Sequence, residues 1–217
     1  DNGVAHVSCL ARAAQVTVER VAQNGWKRWS TCGLCEQYYH GVVACALGWA
    51  CWKTYAGRPE TSILRQAAMT ELGNGLFNAN HHEDALSVFE AGLSMKRRLG
   101  ASEASILLVQ SNIAGSYLML KRFEEANRMR RDVYSDWLEL EGEEHEYTLI
   151  AANNYANSLI ELKRFKEAKP LLRKTIPVAR RVLGDDHRFT LTMRWGYADT
   201  LYKASGAMLG ELREAVT

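Results

Sequence analysis

Proline is scarce in this chain, with three among 217 residues, and long hydrophobic runs are missing. The most apolar stretch, Gly41 to Trp52, is twelve residues, against the roughly 20 that a bilayer-spanning helix needs. That excludes a membrane-spanning segment in this sequence. There is no excess of either charge: 27 basic and 25 acidic side chains leave a net +2, so no bulk field points to nucleic acid or to an anionic membrane. No Ser/His/Asp arrangement, phosphate loop or carboxylate pair stands out. Five cysteines make an odd count without even spacing, which fits free or metal-bound thiols in a reducing, cytoplasmic setting. The sequence opens at Asp1 without a methionine or a signal-like stretch, so the expectation is a fragment with any targeting signal upstream.

What the chain has in quantity is Ala, Leu, Glu, Lys and Arg, arranged in a repeat. "SNIAGSYLMLKRFEEANRMRRDVYSDWLELEGEEHEYTL" (residues 111–149) realigns without a gap on "NNYANSLIELKRFKEAKPLLRKTIPVARRVLGDDHRFTL" (153–191) at a shift of 42 residues. An earlier unit, residues 71–107, follows the same plan with its second helix one residue shorter between Ala85 and Gly100. A fourth begins at "WGYADTLYKASG", and "AMLGELREAV" after it does not align.

Each unit carries two helical stripes. In the third, Ala152, Tyr155, Ala156, Leu159 and Leu162 mark one helix and Ala168, Leu171, Leu172, Thr175, Ile176 and Ala179 the next. Ala114, Ala126, Ala156 and Ala168 would let paired helices approach closely, and Gly142 and Gly184 suit the left-handed position after a helix. Such a pair cannot bury its stripe alone and must stack on its neighbours. The expected fold is all-α, a right-handed α-solenoid of antiparallel helix pairs.

The motifs "NNYANSLIELKRFKEAKPLLRKTI" and "VLGDDHRFT" resemble tetratricopeptide repeats of the kinesin-light-chain type over residues 61–202, with Arg188 where that family has a loop proline. The resemblance implies a binding module whose first helices line a groove for an extended peptide or a partner helix. It also implies that the motif asparagine, here Asn112 and Asn154, faces the groove. Asn157 and Glu161 share a helical face with Asn154, being three and four residues apart. The alternative for these asparagines is hydrogen bonding between neighbouring repeats. The fourth unit has Gly196 at that place.

Arg128, Arg130, Arg131, Lys163, Arg164, Lys166, Lys169, Arg173 and Lys174 concentrate on second helices and turns without interleaved aromatics. They read as a solvated outer face rather than a nucleic-acid surface. His81 and His82 read as exposed turn residues.

Ahead of the repeats the spacing is His6-x2-Cys9, then twenty-two residues, then Cys32-x2-Cys35. Imidazole and thiolate with short internal spacing are what Zn²⁺ takes. A rival set, Cys32, Cys35, His40 and Cys45, has zinc-knuckle spacing but lacks the knuckle glycines, and Tyr39 to Tyr55 reads as one apolar helix through Cys45. A redox pair at Cys32 and Cys35 would want a βαβ context that is missing. "HVSCL" and "CGLCEQYY" resemble the second half of a RING-CH (RINGv) zinc finger over residues 5–39. That family's cross-brace implies that His6 and Cys9 serve one ion and Cys32 and Cys35 another, with the remaining ligands before Asp1. The expected organisation is thus a partial finger over 1–38, a connecting helix over 39–60 whose Trp49, Trp52 and Tyr55 stack on the first repeat, and about three and a half repeats over 61–217. The functional expectation is a scaffold for a protein partner. The alternative is a RING-CH-type ubiquitin ligase in which the finger docks a ubiquitin-conjugating enzyme and the repeats choose the substrate, catalysis coming from positioning.

Overall fold

The computed structural model describes residues 6–203. The stretch "AMLGELREAV" and the first five residues of the expected finger lie outside them. The chain divides into two units, Asp1–Ser116 and Tyr117–Thr217. The described residues form nine α-helices and one 3-10 helix, and their one isolated β-bridge pairs Thr31 with Tyr38. No helix among them is long and apolar enough to cross a membrane. The all-α class read from the repeats therefore stands.

In the first unit, α1 (Val7–Val21) leads through the 3-10 helix Ala22–Trp29 and a turn to α2 (Gly41–Tyr55), then α3 (Ile63–Asn78) and α4 (His82–Arg98). Helix α5 (Glu103–Met119) runs across the division. The 3-10 segment contributes Trp26 and Trp29 to a core with Ala14, Val18, Cys51, Tyr55 and Ala68. Of the three aromatics expected to stack on the first repeat, Tyr55 is buried and Trp52 packs at the edge of this core, but Trp49 is 44% exposed. Trp26 and Trp29 take its place, their rings 5.6 and 6.2 Å from Tyr55. Helices α2 and α3 meet backbone to backbone because Gly48 and Gly75 carry no side chain: a Cβ on Gly75 would lie 2.6 Å from the Ala44 carbonyl oxygen.

The second unit holds α6 (Phe123–Glu141), α7 (Glu146–Glu161), α8 (Phe165–Val182) and α9 (Arg188–Lys203). Its core gathers Leu149, Ala152, Ala156, Leu159, Ala168, Leu172, Ala179, Met193, Tyr197 and Leu201, with Tyr155, Leu171 and Ile176 packed against it. The predicted stripes therefore face inward, as burial of apolar area requires. Two of the scarce prolines, Pro170 and Pro177, sit inside α8. Both are exposed, so the carbonyls deprived of an N–H donor lie on the solvent side of the helix.

The turn between the helices of each pair repeats atom for atom. Asn80, Lys121 and Lys163 have φ of 65°, 61° and 57°. The following N–H groups, of His81, Arg122 and Arg164, donate back to Leu76, Tyr117 and Leu159 carbonyls at 3.0, 2.8 and 2.8 Å. This is the six-to-one bond of a Schellman stop, made here without glycine. At the other end of the pair glycine is required: Gly142 takes φ 82° with ψ 178°, outside the left-handed helical region expected for it and open to glycine alone.

Candidate functional site

A cleft of about 470 Å³ opens in the second unit between α7 and α9. From α7 it is lined by Asn157, Ile160 and Glu161, and from α9 by Thr192, Trp195, Asp199 and Lys203, with Leu118, Lys163 and Phe165 completing the lining. The repeat explains the lining. A shift of 42 residues carries Asn157 onto Asp199 and Glu161 onto Lys203, so the walls are equivalent turns of successive first helices. Trp195 is 67% exposed, an indole held at a cleft by a rigid helix. Lys203 pairs with Asp199 at 2.9 Å.

Of the residues expected to bind a peptide, Asn157 and Glu161 line this cleft and Asn154 does not. The backbone carbonyl of Asn154 instead accepts a hydrogen bond from Arg130 Nη1 of α6 at 3.0 Å. Its neighbour Asn153 is buried, with Oδ1 lacking a partner and Nδ2 3.5 Å from Asn154 Oδ1. Asn153 stands at the repeat position of Trp195, a register that could have singled it out in the sequence. Asn112 lies half-buried on α5, its carbonyl accepting from Ser116 Oγ at 3.2 Å.

The first repeat carries Glu71 at the position of Asn112 and Asn154. Its side chain is buried and hydrogen-bonded to Ser30, Trp26 and Asn74, and burial lifts its pKa above the usual carboxylate range. The position expected to read a ligand is there occupied by the segment that precedes α2. The two turn histidines differ as well: His81 is exposed, whereas His82 is half-buried, its ring edge-on to Phe77 at 5.0 Å.

Among the described residues no group of three or more His, Cys, Asp or Glu side chains is placed to hold one metal ion. His6 immediately precedes α1, where its carbonyl accepts the N–H groups of Cys9 and Leu10, and Cys9 is exposed in the first turn. Cys32 and Cys35 do come together. The backbone N–H groups of Cys35 and Leu34 donate to the Cys32 sulfur and lower its pKa from the ordinary thiol range. Glu36 completes the turn at φ 58°, and the Thr31–Tyr38 bridge closes it. Two adjacent sulfurs, one of them solvated by N–H groups, suit two corners of a thiolate tetrahedron. His40 ends the turn and Cys45 lies within α2, so the knuckle set is divided between loop and helix. Cys51 is buried, and desolvation pushes its thiol far up.

No curated protein matches the chain in sequence. Residues 102–179 and 147–207 match the family model of the tetratricopeptide repeat. Among solved structures, a kinesin-light-chain protein of Podosopora anserina with nearly identical TPR-like repeats superposes with a TM-score of 0.65 at 18% identity, over 98% of this chain and 94% of that one. BtubC (BKLC) from P. vanneervenii superposes with a TM-score of 0.66 at 14% identity, over 98% and 89%. Residues 102–207 thus carry tetratricopeptide repeats, and the chain shares the fold of these kinesin-light-chain-like proteins.

Proposed function

We propose that this chain is a protein-interaction scaffold that binds an extended peptide or a helix of a partner in the cleft between α7 and α9. The lining of that cleft carries the reading: an amide, a hydroxyl, charges of both signs and an exposed indole converge from equivalent turns of two rigid helices. Asn157 can pair with a peptide backbone as both donor and acceptor. Trp195 supplies the large, stiff contact area that anchors interfaces.

The Cys32–Cys35 turn, with His6 and Cys9 serving a second ion, is proposed as the remnant of a zinc finger. Zinc there would act as a staple, the thiolates holding the segment ahead of α2. A ligase that docks a ubiquitin-conjugating enzyme through this segment is the alternative function. It needs two zinc ions and further ligands, whereas the scaffold reading uses groups already in place, and the scaffold reading is preferred.

Selection of random dodecapeptides displayed on phage tests it. Peptides enriched on the wild-type chain should lose about thirtyfold in affinity on Trp195→Ala, the cost of removing an interface anchor, and weaken on Asn157→Ala. They should bind Trp49→Ala unchanged. Failure to enrich any peptide, or indifference of the enriched ones to both cleft substitutions, would falsify the proposal.

A further inference from the structure

Helix α2 is the most apolar segment of the chain, yet only one of its faces is buried. Ala44, Leu47, Gly48, Cys51 and Tyr55 pack into the first unit. On a second face Val42, Cys45, Trp49 and Trp52 recur at i, i+3, i+7 and i+10, the spacing of a single helical stripe. Val42 is 83% and Trp49 44% exposed, while Cys45 and Trp52 are half-buried. Other helices of the chain treat their open faces differently: Glu83, Glu90 and Arg97 on α4 and Lys166, Arg173 and Arg180 on α8 are exposed at the same seven-residue spacing. Lys53 is the one charged side chain of α2. A helix that is apolar on every side is ordinarily enclosed.

The size of the open stripe narrows what covers it. Tyr38, 60% exposed, precedes the helix. With an aromatic side chain offering about 150–250 Å², the uncovered parts of Tyr38, Val42, Cys45, Trp49 and Trp52 come to about 400 Å², a size at which apolar patches are often functional. A standard interface takes about 800 Å² from each partner, and in homodimers about 65% of that is apolar. The stripe supplies most of it.

The order of the residues narrows it further. Val42 and Trp52 are centred on residue 47, and so are Cys45 and Trp49. Two antiparallel copies of α2 crossing at Leu47 would therefore set Val42 against the second copy's Trp52 and Cys45 against its Trp49, a small side chain opposite a large one in every layer. Parallel copies would set indole against indole. Charge has the same preference. Glu36 lies beyond one end of the helix, and Lys53 and Arg58 lie at the other, all three exposed. Antiparallel copies bring opposite signs together, and parallel copies bring like signs together.

We propose that α2 is a self-association surface, on which the stripe from Val42 to Trp52 pairs with the same stripe of a second copy, antiparallel across a two-fold axis near Leu47. Such a contact is isologous and closes at two copies. It uses none of the residues that line the cleft between α7 and α9, so it stands or falls apart from the scaffold reading. An anionic lipid surface would meet Glu36 with repulsion and would make no use of the size match.

Sedimentation velocity in reducing buffer tests the pairing. The wild-type chain should show a monomer–dimer equilibrium with a dissociation constant of about 1–100 μM. Val42→Glu, at a position already open to water, should weaken it by about a hundredfold, since the two-fold places the unpaired charge in the contact twice. Trp49→Ala should weaken it as well. Dilute Val42→Glu should melt with the wild type, which separates loss of pairing from loss of fold. At low salt Glu36→Lys should weaken pairing by about threefold, and Lys53→Glu with Arg58→Glu on the same chain should restore it. A chain that stays monomeric up to about 0.3 mM, a dimer indifferent to both Val42→Glu and Trp49→Ala, or a charge reversal that restores nothing would each overturn the proposal. Co-sedimentation of a monomeric chain with phosphatidylserine–phosphatidylcholine vesicles, lost in Trp49→Ala, would assign the stripe to lipid and overturn it too.

Discussion

Alanine at Gly75 would place a methyl carbon inside the backbone of α2. It would stand 2.6 Å from the Ala44 carbonyl oxygen, 3.3 Å from the Ala44 carbonyl carbon and 3.2 Å from Gly48 Cα. Reaching ordinary contact at 3.4 Å needs about 0.8 Å of separation between α2 and α3. No side chain can rotate out of the way, because the atoms met are main chain. Overpacking of this kind costs about 1–3 kcal/mol, and the rigid backbone places this site at the upper end. Against it stands the gain of about 1 kcal/mol from replacing glycine by alanine within a helix. The net expectation is a loss of about 1–2 kcal/mol, or roughly 2–8 °C in melting temperature for a chain of this size. Gly92→Ala is the control. Its methyl would meet the Met69 side chain at 3.8 Å or more, so only the propensity gain remains, and the melt should rise. Circular-dichroism melts of the two variants, with hydrogen exchange across α2 and α3, measure the effect. A Gly75→Ala chain as stable as Gly92→Ala would refute the backbone contact between these helices.

At Lys163, held at φ 57°, substitution by glycine should stabilise by up to about 1 kcal/mol in urea unfolding, since an L side chain is strained in that region. Glu71, whose carboxyl is raised by burial, makes the folded chain hold a proton that the unfolded chain gives up. Its stabilising share is present at pH 4.5 and is lost as pH rises through the folded value. The stability of wild type relative to Glu71→Gln should accordingly fall between pH 4.5 and neutrality; a constant difference in urea melts would contradict the burial of this carboxyl. Cadmium titration of the chain should produce thiolate-to-metal absorption that disappears in Cys32→Ser and in Cys35→Ser and survives in Cys45→Ser. Survival in all three would place the metal elsewhere.

The repeat, its period and its inward stripes were legible because covalent order writes them directly: Ala156, Leu159 and Ala168 are spaced by the pitch of a helix and are buried where that spacing puts them. The full burial of Ala126 and Ala168 was legible for the same reason, small side chains on a helical stripe being a local property. Arg130 and His82 were misread because a charged or polar residue in one chain segment looks solvated until the helix it faces is known. Asn154 was placed on the groove by its motif, yet its carbonyl is engaged by α6 and it is Asn157 that lines the cleft. One residue turns a helix by about 100°, so a motif that fixes identity leaves the facing undetermined to that extent.

By itself the sequence determined the helices, the positions of their turns and the pairing of Cys32 with Cys35 on one short turn, all of which depend on neighbours in the chain. Tertiary structure alone decided that Glu71 is consumed by Trp26 and Ser30, that Trp195 stands exposed at a cleft, and that Arg130 is half-buried with its Nη1 on the Asn154 carbonyl. Those properties are set by solvent exclusion and by partners dozens of residues away, and no local pattern records the distance between them.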